Sequence, residues 1–286
     1  MVAVLIWGST WFAIEFQLGV VAPEVSIVYR YLAASFILFL WSFFKKLPLQ
    51  FNVRSHKWFA LMGLLMFCLN YIFAYRAQIY ITSALSAIAF SSMLWMNIIN
   101  ARVFFGVRVA PRIYLGALLG IIGICVLFGP QVAKISFSDG VFFGSVLAVC
   151  GAFMASLGNM ASQAAQKEHL PVVQSNAWSM LYGAIFTVVF ALLQGHAFTF
   201  ELSYSYVISL LYLTVFGSVI AFGAYLTLLG RIGAHRAGYA TVMFPGVALV
   251  LSMLFEGLAL ELYILVGFLL VLSGNLLVLV GKSRAA

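Results

Sequence analysis

The order of apolar and polar positions divides the chain into long hydrophobic stretches separated by short polar breaks. Runs such as 116–128 and 262–280 contain no charged residue. A strand crossing a membrane would alternate in polarity along its length. An apolar run of roughly 20 residues is instead the length of a helix that crosses a bilayer, and such a helix satisfies its own backbone where hydrocarbon offers no partner. The breaks predict ten spans, at about 2–18, 24–44, 58–80, 82–105, 112–128, 140–165, 172–194, 204–229, 234–256 and 260–281. Gly19 and Pro23 separate the first two, Pro111 opens the fifth, Gly129-Pro130 closes it and Pro171 opens the seventh. Proline suits a first helical turn, where its missing N–H has no partner to lose. The first stretch lacks a basic leader and is interrupted by Glu15, so it reads as a span and not as a signal peptide.

Composition turns this pattern into an exclusion. Of the 286 residues, 65% are hydrophobic and only 8% charged, against about 25% charged in a soluble domain. Mean hydropathy is +1.12. A soluble enzyme, a nucleic-acid-binding domain and a disordered chain are excluded. The chain is an all-α polytopic membrane protein, its surroundings the lipid bilayer.

The net charge of +8 is explained by where the cations fall. Twelve of the 15 Lys and Arg lie on even-numbered loops and the C-terminal tail: Lys45, Lys46, Arg54, Lys57, Arg102, Arg108, Arg112, Lys167, Arg231, Arg236, Lys282 and Arg284. The opposite side has Arg76 and Lys134 together with the acids Glu24, Asp139, Glu201, Glu256 and Glu261, while Arg30 lies within a span. The positive-inside rule then predicts that both termini are cytoplasmic. Cys68, Cys125 and Cys150 all fall within spans, where they read as small apolar packing residues.

The chain also repeats itself weakly. A shift of 151 places Gly106 on Gly257, Gly116 on Gly267 and Gly123 on Gly274; a shift of 150 places Tyr75 on Tyr225; a shift of 148 places Pro23 on Pro171. Residues 1–130 and 131–286 thus read as two repeats of five spans each. Because five is odd, the second repeat must enter the membrane from the opposite side. Inverted repeats of this kind rock about a central site in secondary transporters.

Particular residues carry a family likeness. The first span has Trp7-Gly8-Ser9-Thr10, and the second has Arg30 shortly after Pro23. The third runs from Tyr75 to a Thr82-Ser83-Ala84 junction, and the ninth has Pro245 at its centre, followed by Glu256-Gly257. In this order over ten spans, the chain resembles the EamA family of the drug/metabolite transporter superfamily along essentially its whole length. The resemblance implies a ten-helix inner-membrane carrier, and most closely the exporters of amino acids, aromatic ones included. It departs from the family at Leu94-Trp95, which stands where a mid-helix proline of the fourth span would fall.

Polar residues inside a span are costly unless they pack inward or line a wet cavity. Thr10 and Trp11 in the first span, Tyr75 and Gln78 in the third, and Ser86 and Trp95 in the fourth are such positions. So are Ser156 and Asn159 in the sixth, Tyr225 in the eighth, and Tyr239 in the ninth beside Pro245. These nominate helices 1, 3, 4, 6, 8 and 9 as a cavity wall. Aromatic rings can stack on a solute or hold an ammonium, and neutral amides can serve a carboxylate. The lining suits a small amphiphilic zwitterion. Glu15 and Arg30 lie at similar depth on adjacent helices and are expected to form an ion pair that steadies the outer end. The sequence thus points to an exporter working by alternating access, with a multidrug or other metabolite exporter as the nearest alternative. Lipid flipping is a more distant one. An intramembrane enzyme is disfavoured because the only Asp is Asp139, and His56, His169, His196 and His235 fall in the predicted loops. Nothing in the sequence implies a cofactor, a metal or a nucleic-acid partner; the partners it implies are a small-molecule substrate and the bilayer, and a monomer is compatible with it.

Overall fold

A computed structural model describes residues 2–107, 111–133, 140–237 and 239–279, all of whose regular elements are helical. The helices are α1 (Val2–Glu15), α2 (Pro23–Phe44), α3 (Val53–Gln78), α4 (Ser83–Phe105) and α5 (Pro111–Ala133). They continue with α6 (Gly140–Lys167), α7 (Val172–Leu193), α8 (Tyr204–Ile232), α9 (Tyr239–Phe255) and α10 (Leu262–Leu279), with a single turn at Ala234–Ala237 before α9. Among the described residues, six of these (α2, α3, α4, α6, α7 and α8) are long and apolar enough to cross a membrane, and α1, α5, α9 and α10 carry shorter apolar stretches.

Local chemistry sets the ends. Asn52 accepts from the Ser55 N–H at 2.8 Å and starts α3 at Val53, five residues before the expected position. His56, expected in a loop, therefore lies in the first turns of α3, where its ring bonds the Tyr182 hydroxyl. Ser203 caps α8 in the same way. Gly106 and Gly257, a matched pair in the repeat, both adopt φ of 67° just after α4 and α9, a conformation that needs no Cβ. α1 ends at Glu15 and not at residue 18, and the buried Gln17 beyond it donates to the Tyr206 carbonyl and Ser209 hydroxyl of α8. α5 does not stop at Gly129-Pro130 but runs to Ala133, since a membrane helix tolerates an internal proline.

Two helices contain π-helical segments, Gly63–Leu69 in α3 and Leu213–Ile220 in α8, which begin 150 residues apart. α4 is interrupted at Ser91-Ser92, two residues before Leu94. There Ser91 donates to its own helix at the Ile88 carbonyl and accepts from Asn275 of α10. A serine pair thus interrupts the helix where proline is absent.

The packing is reciprocal between the halves. α5 lies along α10 and α2 along α7; α1 packs on α9 as α6 packs on α4; α3 contacts α6 and α7 as α8 contacts α1 and α2. At the α5–α10 contact a Cβ on Gly123 would lie 2.8 Å from the Gly267 carbonyl oxygen, and one on Gly274 would lie 2.5 Å from the Gly116 carbonyl oxygen. These glycines let the two backbones touch, as small residues do between membrane helices. Cys68, Cys125 and Cys150 are free thiols.

Candidate functional site

A cleft opens at the centre of the bundle, enclosing about 590 Å³ of space free of atoms, its open mouth included. Trp7, Thr10, Trp11 and Ile14 reach it from α1 at spacings of three and four, which place them on one face. Met66, Asn70, Tyr71 and Ala74 enter from α3, Phe90 and Met93 from α4, and Ala155 and Asn159 from α6. Phe222 and Tyr225 come from α8 and Phe244 from α9. These are the six helices that the polar positions nominated. A seventh contributes one residue, Arg30 of α2.

The walls are aromatic. The Trp7 ring meets Tyr225 at 4.9 Å and Phe222 at 5.1 Å between centroids, both edge to face. Trp11 meets Phe90 at 5.1 Å. Trp7 is fixed by its indole N–H, which donates to the Gly217 carbonyl at 3.2 Å. Asn159 donates to the Tyr225 hydroxyl at 3.1 Å and to Asn97 Oδ1 at 3.2 Å. Asn70 donates to the Met66 carbonyl, leaving its buried Oδ1 without a partner.

Of the residues nominated from sequence, Thr10, Trp11, Asn159, Tyr225 and Arg30 line the cleft. Tyr75 and Gln78 stand behind its wall: Tyr75 accepts from Arg30 at 3.3 Å, and Gln78 donates to the Trp11 carbonyl at 2.9 Å. Ser156, one turn from Asn159, accepts from Asn100 at 2.9 Å. Ser86 and Pro245 are buried beside the lining residues Phe90 and Phe244 without entering the cleft. Trp95 does not enter it either. Met93 lines the cleft, and two residues on is about 200° around the helix, so Trp95 lies against Gly120 of α5. Tyr239 opens α9, and its side chain lies outside what the structure describes.

The expected Glu15–Arg30 ion pair is absent from the ion pairs of the described residues. Glu15 instead accepts from Gln78 at 3.2 Å. Arg30 is bonded elsewhere, with Nε donating to Ser218 at 2.9 Å, Nη1 to Tyr75 and Nη2 to Tyr71 at 3.4 Å. Its guanidinium carbon also stands 4.6 Å from the Tyr71 ring centroid. The ion pair that the structure does form was not foreseen. Glu24, fully buried at the start of α2, meets Arg76 at the end of α3 at 2.6 Å, and His196 Nε2 lies 3.5 Å away. Arg76 also donates to Gln194 after α7. This network ties three helix ends together at one end of the bundle. Glu256 accepts from Ser252 at 2.7 Å and from the Ser83 N–H at 3.1 Å, at the N-terminus of α4.

The aromatic lining residues Trp7, Phe90, Phe222 and Phe244 escaped a search for polar positions. Spacing carried a signal for two of them, since Trp7 is four residues from Trp11 and Phe222 three from Tyr225.

Comparison with known proteins adds four findings. The EamA-like transporter family matches residues 1–129 and 142–280. The uncharacterized transporter YoaV of Bacillus subtilis is 26% identical over 274 residues, covering 94% of this chain and 91% of that protein. The uncharacterized inner membrane transporter YedA of Escherichia coli is 25% identical, over 87% of this chain and 78% of that one. A solved crystal structure superposes with a TM-score of 0.70 at 17% identity, over 96% of this chain and 93% of the other. That last likeness concerns the fold alone.

Proposed function

Because the chain belongs to the EamA-like transporter family, we propose that it exports small amphiphilic metabolites, amino acids including aromatic and other neutral ones, by alternating access. The single observation that carries this reading is the central cleft, whose Trp, Phe and Tyr walls are interrupted by the hydroxyl of Thr10, the amides of Asn70 and Asn159, and Arg30. Such a lining offers stacking surface for an apolar body and a few oriented polar groups for its head. A wholly apolar cargo would leave the buried Asn70 Oδ1 and the remaining N–H groups of Arg30 without a partner, which is costly.

Alternating access rests on ten spans arranged as two inverted repeats, 1–130 and 131–286. Its support is the two separate family matches, the π-helical segments 150 residues apart, and the reciprocal packing of α5 with α10 and α2 with α7. The name of YedA as an inner membrane transporter supports the same membrane for this chain. The cation distribution argues for cytoplasmic termini.

The test is reconstitution into liposomes with a panel of labelled amino acids, nucleosides and cationic dyes. Saturable movement of aromatic and other neutral amino acids is the expected result. Movement of dyes without amino acids would overturn the amino-acid reading in favour of a multidrug carrier.

A further inference from the structure

Arg30 is 1% exposed and lines the cleft. Among the described residues no carboxylate lies within ion-pair distance of it. A buried guanidinium without a counter-ion is an expensive arrangement, so its neighbours and its accessible side call for explanation. Its fork has five N–H donors. Three are engaged, by Ser218, Tyr75 and Tyr71, all of them neutral hydroxyls. These hold the side chain in place without cancelling its charge. By count, one N–H on each terminal nitrogen remains for a further acceptor, and a carboxylate is the acceptor that can take two N–H groups of one guanidinium.

α8 packs closely on the fork, since a Cβ at Gly217 would lie 3.1 Å from Arg30 Nη2 and 2.9 Å from the Thr10 methyl. Ser218, which accepts from Nε, donates to the Leu213 carbonyl five residues back, inside the π-helical segment of α8. The anchor is thus fastened to an irregular piece of helix in the other half of the chain. No acid balances the charge within the lining itself: Glu15 is on α1, but the cleft is bordered there by Ile14, and the Glu15 carboxylate is taken by Gln78. Among the described lining residues, the buried polar atom that lacks a partner is Asn70 Oδ1, 4% exposed as a residue and next in sequence to Tyr71. It is a neutral acceptor, able to take a hydrogen bond from a ligand N–H.

We infer that Arg30 is the anchor for a carboxylate, which makes apolar and aromatic carboxylates the substrate class of the cleft and excludes amines that lack an acid group. This rests on reading the cleft as the metabolite site and deepens it. The site carries one fixed positive charge, so the ligand must bring the negative one. An ammonium adds the contact to Asn70 and the faces of Trp7 and Trp11, but it is not required. Amino acids are then one branch of a wider class that includes the same skeletons without the amino group.

Three ligands share one ring and one two-carbon arm: phenylalanine with both head groups, 3-phenylpropionate with the acid alone, and phenethylamine with the amine alone. Binding to the purified full chain is read from tryptophan emission, since Trp7 and Trp11 border the cleft, and from thermal stabilisation. Phenylalanine and 3-phenylpropionate should each bind at least about tenfold more tightly than phenethylamine, the size expected for a charge-assisted contact. Phenethylamine binding as tightly as 3-phenylpropionate would remove the anchor and leave the metabolite site standing. Binding of none of the three would overturn the reading of the cleft as an aromatic-metabolite site, and the anchor with it. Arg30→Met should abolish the preference for the acid, and Arg30→Lys, which keeps the charge without the fork, should keep the preference with weaker acid binding. A folded Arg30→Met that still prefers the acid overturns the assignment to Arg30. The comparison among ligands on the unaltered protein decides the substrate class even where a variant fails to fold.

Discussion

The α5–α10 contact gives the sharpest quantitative expectation. A methyl group added at Gly274 would lie 2.5 Å from the Gly116 carbonyl oxygen and 2.8 Å from the Gly120 nitrogen, and one at Gly123 would lie 2.7 Å from the Val271 nitrogen. These are backbone atoms and have no rotamer to change. Relief requires the helices to part by roughly 1 Å, which forfeits a quarter to a half of the dispersion attraction across the seam. Overpacking of this kind costs about 1–3 kcal/mol. Alanine recovers up to about 1 kcal/mol of helix propensity, so each single Gly→Ala should lose about 1–2 kcal/mol. The two sites share one seam, and the first substitution already opens it. The double variant Gly123→Ala with Gly274→Ala should therefore lose clearly less than the sum. Gly246→Ala is the control, because its methyl would meet only Phe268 Cζ at 3.9 Å. Reversible unfolding in detergent micelles measures all four proteins. Gly274→Ala as stable as Gly246→Ala would refute the close approach, and strictly additive losses would refute the shared seam.

Four other expectations follow from particular contacts. A cysteine at Val53, 88% exposed beside the Asn52 cap, in a cysteine-free background, should resist an impermeant thiol reagent applied to intact cells; ready labelling reverses the orientation. Glu24→Gln should destabilise the protein by about 2–3 kcal/mol, below the roughly 3–5 kcal/mol of a fully buried broken pair because Arg76 is 35% exposed, and the Glu24→Gln, Arg76→Gln double should cost less than the sum in the same unfolding assay. Neutralising Glu15 and Arg30 should give additive losses, since they share no contact; strong coupling in the double-mutant cycle would place them together after all. Trp11→Ala should weaken uptake of aromatic cargo into proteoliposomes by about 1 kcal/mol per lost ring contact, whereas Trp95→Ala should lower stability without changing cargo preference, and the reverse pattern would put Trp95 in the cleft.

Counting residues gives a position along a helix, but neither the direction a side chain takes nor the helix beside it. Glu15 and Arg30 count to similar distances from the loop between them, yet α1 packs on α9, α4 and α8 and not along α2. Whether they meet depends on azimuth, and Arg30 faces Tyr71, Tyr75 and Ser218 while Glu15 faces Gln78. The same limit misplaced Trp95, which shares its helix with Met93 but not its face. Glycine contacts were more legible because they are made by backbone. Gly116, Gly120, Gly123 and Gly274 announce themselves by spacing and by the 151-residue shift, and no side chain can redirect them. The π-helical segments left no such trace, because an extra residue in a helical turn changes hydrogen bonding without changing composition.

The repeat also explains why the wall of the site was easier to find than its chemistry. A structural repeat supplies matching walls from both halves, and the polar positions of both halves nominate them together. Recognition of one head group needs the halves to differ. At the shifts of 148 to 150 that relate them, Arg30 corresponds to Trp178, Ser179 or Met180, none of them charged. At the shift of 150, Ser218, which holds Arg30, corresponds to Cys68, and both lie in the π-helical segments. The scaffold is shared while the charge and its holder come one from each half. A ligand with one polar head and one apolar body matches that asymmetry. The Arg30–Ser218 bond joins the two halves of the chain at the cleft.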